Sequence, residues 1–108
     1  MRKPLVRLLK LNGLQYNANR DPQAYRRAAG QAFRLQALLD GAGNARCTLS
    51  DESGNALAAQ SVSRPGTFTA ELNFEHPGSR LVTLRIEGDD ETYLRTLRLD
   101  VLEPGPHH

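Results

Sequence analysis

Between Pro65 and Glu87, apolar and polar residues alternate with a period of two. Phe68, Ala70, Leu72 and Phe74 fall on one face and Thr67, Thr69, Glu71 and Asn73 on the other; after Pro77-Gly78, Val82, Leu84 and Ile86 oppose Thr83, Arg85 and Glu87. Successive side chains of a strand point to opposite sides, so each run predicts a strand with one buried and one wet face. One-sided burial fits an antiparallel sheet packed on a second sheet, because parallel strands are covered on both faces. The same alternation runs through Gln31–Leu39, with Phe33, Leu35, Ala37 and Leu39 inward, and through Tyr93–Leu102, with Leu97, Leu99 and Val101 opposing Arg98 and Asp100. Shorter strands are expected at Pro4–Leu11, at Arg46–Ser50 with Cys47 and Leu49 inward, and at Ala56–Val62. Leu14–Tyr16 is expected to continue the first strand after a kink at Asn12-Gly13.

The punctuation between these runs is regular. Asp40-Gly41-Ala42-Gly43-Asn44, Asp51-Glu52-Ser53-Gly54-Asn55 and Gly88-Asp89-Asp90 are clusters of turn formers. About seven short strands divided by such turns predict an antiparallel β-sandwich or barrel. The first long connection is different. Asp21-Pro22 suits a helix start and Gly30 a stop, which predicts a short helix over Pro22–Ala29. Tyr25, Ala28, Ala32, Leu35 and Leu39 also share a helical spacing, leaving open a helix that runs on to Leu39. Gly30 inside it would cost roughly 1 kcal/mol relative to alanine, which favours the strand from Gln31.

At 108 residues the chain is expected to form one domain over residues 1–103, with a disordered tail at 104–108 whose His107 and His108 are set aside from site reasoning. The net charge of +2 does not advertise a polyanionic partner. The balance is uneven, at +5 up to Gly54 and −3 beyond it. MRKPLVRLLK starts like a leader, but Arg7 and Lys10 interrupt its apolar stretch and no run approaches transmembrane length. A cytoplasmic location follows if Met1 is the native start; otherwise the compartment stays open. Cys47 is the single cysteine, so no internal disulfide forms, and its alternation with Leu49 marks it as a small buried hydrophobe.

The segments GQAFRLQALLDGAGN, LSDESGNAL and RPGTFTAELNFEHPGSRLVTLRIEG, spanning Gly30 to Leu102, resemble the strand and turn grammar of bacterial immunoglobulin-like and fibronectin-type sandwich domains. The chain departs from that pattern in having no tryptophan, no partner for Cys47 and no tyrosine in Arg80–Glu87 for a tyrosine corner. The resemblance implies an all-β immunoglobulin-like antiparallel sandwich. It also implies the roles such domains mostly serve: adhesion, spacing or docking.

In that topology alternate loops gather at opposite poles. One pole would bring Asp40 and Asn44 to Asp89, Asp90 and Glu91, hard oxygen donors of the kind Ca²⁺ takes, with Arg64 beside them as a competing cation. The other would carry the Asn12–Gly30 connection, whose Tyr16, Arg20, Tyr25, Arg26 and Arg27 mix the residue types favoured at protein interfaces. Those tyrosines equally suit packing of the connection onto the sheet. At 6% aromatic residues the chain is a poor candidate for a base-stacking nucleic-acid groove. Catalysis lacks its parts. His76 is the one histidine outside the tail, and no nucleophile elbow, zinc motif or phosphate loop is present. The expectation is a non-catalytic protein-interaction or assembly module without a cofactor, its first and last strands open to another chain or a second copy. The alternative is a calcium- or carbohydrate-binding module acting through residues 40–44 and 87–91.

Overall fold

The structure, a computed structural model, describes residues 5–17, 19, 25–89 and 91–103. Its strands are β1 (Val6–Leu11), β2 (Leu14–Gln15), β3 (Arg27–Ala28), β4 (Ala32–Ser50), β5 (Ala56–Asn73), β6 (Gly78–Glu87) and β7 (Thr92–Leu102). The inward sides of the alternating runs are those read from the sequence: Phe33, Leu35, Cys47, Leu49, Phe68, Leu84, Ile86, Leu97 and Leu99 are all buried. Complete burial of a side chain such as Phe33 or Phe68 contributes about 2–3 kcal/mol. Residues 31–39 are strand, since β4 starts at Ala32.

β4 and β5 pair antiparallel from Ala32↔Asn73 to Ser50↔Ala56, and both bend midway. The first half of β4 lies between β1 and the second half of β5; its second half lies between the first half of β5 and β6, and β6 carries β7. One hydrogen-bonded sheet thus curls over itself into two layers around the core. At the corner Asp40, Gly41 and Ala42 stand against Pro65 alone, between the pairs Leu39↔Gly66 and Gly43↔Arg64. Extra residues on one strand bend it sharply, and Gly41 (φ 100°) and Gly43 (φ 82°) supply the left-handed conformations required. The expected strand ends at Asp40–Asn44 and at Pro65-Gly66 are therefore bends within continuous strands. Glycine-rich composition marks the change of direction, but pairing continues through it because the partner strand bends at the same place.

Two further expectations are corrected. Asn12 (φ 55°) and Gly13 (φ 83°) both adopt positive φ, the geometry of a tight hairpin turn, so β2 folds back on β1 instead of continuing it, with Lys10↔Gln15 and Leu11↔Leu14 paired. The α-helix expected over Pro22–Ala29 is absent from residues 26–29, and Tyr25 lies in a 3₁₀ turn; residues 21–24 lie outside the described residues. Arg27 and Ala28 instead pair in parallel with Val101 and Leu102 of β7, and the Ala29 amide donates to the Leu102 carbonyl at 2.8 Å. An open sheet edge offers these amides partners that a two-turn helix would have to supply itself.

Candidate functional site

The first connection and β7 meet along one edge of the larger layer. β7 pairs with β6 over its whole length, but on its outer side β3 covers only Val101 and Leu102. Backbone direction on this edge is set by three bonds. The Leu102 carbonyl accepts from Ala29, the Arg98 amide donates to the Tyr16 hydroxyl (3.4 Å), and the Leu81 amide, across from Arg98, points away from β7 to Glu52 Oε1 (3.1 Å). Amide and carbonyl of alternate strand residues share a side, so Thr92, Leu94 and Thr96 aim their backbone groups outward like Arg98 and Leu102. Among the described residues no strand pairs with them there. Leu94, at the middle of this open stretch, is 65% exposed, the highest value for a large apolar side chain among the described residues.

The connection is fastened to the lower half of the same strand. Tyr25 is 3% exposed; its hydroxyl donates to the Gln15 carbonyl at 2.8 Å and accepts from the Asn17 amide at 2.9 Å. Its ring lies 5.3 Å from that of Tyr16, also buried, and the Arg95 guanidinium sits 5.1 Å over Tyr16 on a cation–π contact. Asn12 clamps the start of the connection, donating from Nδ2 to the Tyr25 carbonyl and accepting on Oδ1 from the Arg34 amide. Of the residues expected to bind a partner, Tyr16 and Tyr25 therefore anchor the connection in the core. Arg26 and Arg27 lie at its surface beside β7, and Arg20 lies outside the described residues.

Arg26 approaches Asp100 of β7, Nε to Oδ2 at 3.9 Å, and among the described residues Nε has no hydrogen-bond partner. Asp100 Oδ1 accepts from Ser79 Oγ at 2.9 Å and from Arg98 Nε at 3.0 Å. Burial by itself would raise the Asp100 carboxyl; the hydrogen bonds from Arg98 and Ser79 and the charges of Arg98 and Arg26 outweigh it and hold it below its usual range. A carboxyl whose folded pKa is depressed adds stability above its unfolded pKa of about 4 and loses it as pH falls through the folded value. Asp100→Asn is accordingly expected to destabilise by about 1 kcal/mol at pH 7, with the difference closing as acid protonates the folded carboxyl; urea midpoints at neutral and acid pH measure it.

At the pole proposed for calcium, the structure brings the β4 corner against the β6–β7 turn. The place between them is taken by Arg64, whose Nη2 donates to the Ala42 carbonyl at 2.6 Å and Nη1 to the Asp40 carbonyl at 3.5 Å. Asp89 lies over Gly43, where an added Cβ would stand 3.0 Å from Oδ2. Asp90 lies outside the described residues, and Glu91 accepts the Gly88 amide on its carbonyl at 2.8 Å. Among the described residues, no three acidic, histidine or cysteine side chains converge on a common point.

The opposite pole opens into a cleft of about 400 Å³ between the 51–53 turn, Leu57, Phe74 and Arg80–Val82. Asp51 holds the turn by accepting from the Ser53 and Asn55 amides, both at 2.9 Å, and these bonds hold its carboxyl below the usual range against a smaller opposing effect of burial. Arg80 stacks over Phe74 at 5.8 Å and donates to the His76 carbonyl. Cys47 is enclosed, and burial pushes its thiol up to about 11, leaving it protonated and unreactive at neutral pH.

Sequence reasoning did not single out Leu94, Arg95, Arg98 or Asp100. A signal for Leu94 was available: it falls on the wet side of the alternation that buries Leu97, Leu99 and Val101. The pairing of Arg98 and Asp100 with Ser79 carries no such signal, since the β6–β7 register creates it.

The two-layer curl, the strand order and the inward faces define an all-β immunoglobulin-like sandwich. Among solved structures the chain is similar to the ASH / PapD-like domain of human CEP192, its PapD-like domain 7, with a TM-score of 0.56, 12% identity, and coverage of 99% of this chain and 92% of that one. At that identity the likeness is one of fold alone, an immunoglobulin-like sandwich. No family model matches the sequence, nor does any curated protein, so the bacterial and fibronectin-type aspects of the resemblance gain no support.

Proposed function

We propose that this chain is a non-catalytic protein-interaction module whose partner docks along the outer edge of β7. The observation that carries the reading is the edge at Thr92–Thr96, which no strand among the described residues covers. It has backbone groups aimed outward, an exposed Leu94 at its centre, and the Arg26 and Arg27 surface of the connection beside its covered end. An unpaired edge offers main-chain hydrogen bonds for affinity and alternate side chains for selectivity, which is recognition by strand addition. Natural edges that must stay free are blunted by proline, bulges or charges; the Thr-Tyr-Leu-Arg-Thr stretch of β7 has no proline and pairs with β6 without a bulge, and its one charge, Arg95, is engaged over Tyr16. The PapD-like sandwich fold supports the reading at the level of architecture.

The test uses the folded domain as bait in a lysate of the cells it comes from, beside Leu94→Lys, whose charge disfavours apolar strand addition, and Gln60→Ala, an exposed position on β5 at the opposite edge of the layer. Partners retained by Gln60→Ala and reduced at least tenfold by Leu94→Lys are the expected result. Equal capture by all three baits would overturn the assignment of this edge.

A further inference from the structure

The β7 edge has the backbone phase and side-chain order to pair with itself, and we infer that its occupant is the same edge of a second copy of this chain, related by a twofold axis through Leu94. This deepens the docking reading above and rests on it. Thr92, Leu94 and Thr96 carry the outward-facing backbone groups, and in an antiparallel pair outward-facing residues must meet outward-facing residues. Centring the axis on Leu94 satisfies that requirement three times, with Thr92 opposite Thr96, Leu94 opposite Leu94, and Thr96 opposite Thr92. Beyond Thr96 the Arg98 amide is already taken by the Tyr16 hydroxyl, so the covered half of the edge begins where this ladder ends.

The side chains agree with the backbone. On the outer face Thr92–Thr96 pairs flank Leu94 against Leu94, which shields the most exposed of the large apolar side chains described. On the other face Tyr93 falls opposite Arg95, at the closer, non-hydrogen-bonded spacing that brings a ring to a guanidinium. Arg95 already lies 5.1 Å over Tyr16, so the second copy's Tyr93 would complete a ring–cation–ring stack. No like charges meet within the ladder in this register. Sliding one way to the next permitted register sets Arg95 against Arg95; sliding the other way removes Thr96 from its partner in the 92–96 stretch. The register is thus selected by charge and by hydrogen-bond count together. The resulting dimer is isologous and closes on itself, joining the larger layers of the two copies into one continuous sheet.

A second candidate for self-pairing is the outer side of β5, which pairs with no strand among the described residues; its residues 56–63 carry no charge and so favour no register over another. The two edges are separated by experiment. Sedimentation of the intact chain at concentrations up to about 1 mM is expected to show its mass rising toward twice the monomer value, in the manner of a small interface. Leu94→Lys and Leu94→Asp each place like charges on the axis and are each expected to stay monomeric, at least a tenfold loss of association. Mixing the two in equal amounts is expected to bring association back, because a residue on a twofold axis meets only its own counterpart. Leu94 is largely exposed, so both variants are expected to melt within a few degrees of the parent, and circular dichroism checks this.

A parent chain that stays monomeric throughout overturns the inference. So does association that survives in both single variants and is lost instead in Ser61→Pro on the β5 edge. A monomeric parent whose lysate partners still depend on Leu94 would refute self-pairing and leave the docking reading standing; loss of both would refute both.

Discussion

Tyr25→Ala is expected to destabilise the domain by about 3–5 kcal/mol, the range for truncating a buried aromatic ring. For a domain of this size that is a fall in melting temperature of at least ~12 °C. The ring is 3% exposed and packs on Tyr16, which in turn carries Arg95 and caps the Arg98 amide. Truncation leaves a cavity beneath the connection and also strands the Gln15 carbonyl and the Asn17 amide. Tyr25→Phe separates these contributions. It keeps the ring and removes only the hydroxyl, and is expected to cost about 1–2 kcal/mol. Arg26→Ala, which loses one long ion pair at 3.9 Å, is expected to lie within ~1 kcal/mol of the parent. Melting curves of the three variants check the ranking, and a Tyr25→Ala protein that melts within a few degrees of the parent would show that the connection is not held by this residue. A loss of partner binding in Tyr25→Ala would therefore report unfolding of the connection, whereas the same loss in Leu94→Lys reports the surface.

Gly66→Ala is expected to destabilise by about 2–3 kcal/mol through overpacking at the sheet corner. The Arg64–Pro65 peptide bond is cis, and Gly66 lies directly after it, facing Leu39. An added Cβ would fall against the Ser63 carbonyl oxygen and 3.2 Å from Val62 Cγ1, so main chain as well as a buried side chain would have to move. Because Leu39↔Gly66 is the last pair before the bend, displacement there shifts both long strands. Gly54→Ala is the comparison. It has open space around it but φ of 86°, so its cost is conformational alone, about 1 kcal/mol. Urea titration of the two variants is expected to rank Gly66→Ala as the more damaging, and the reverse order would mean that the corner yields easily.

Particular residues show how much of this could be read without the structure. The buried faces of β4, β5, β6 and β7 were legible because inward and outward alternate residue by residue, a purely local property of an extended chain. Asn12-Gly13 announced a turn, yet not that Leu14-Gln15 folds back onto Lys10 and Leu11, because the same dipeptide serves a kink or a hairpin until a partner strand is present. The helix expected to reach Ala29 gives way at Arg27–Ala28 to pairing with Val101–Leu102, a partner more than seventy residues away. Tyr16 and Tyr25 were read as partner-binding residues or as packing for the connection; which of the two depends on where β7 lies, and both are buried.

Local chemistry alone therefore settled that most of this chain is extended, which side of those strands is buried, that Cys47 is a packed thiol, and where the chain changes direction; it wrongly favoured a helix in the first connection. Tertiary structure decided what each strand pairs with: that β4 and β5 turn the corner together, that Arg64 fills the pole between Ala42 and Gly88, and that no strand among the described residues pairs with the outer side of β7 at Thr92–Thr96. The division has a physical cause. Burial is a preference that each side chain carries with it, while a backbone amide is the same in every residue and acquires its partner only from strands brought alongside by the rest of the fold.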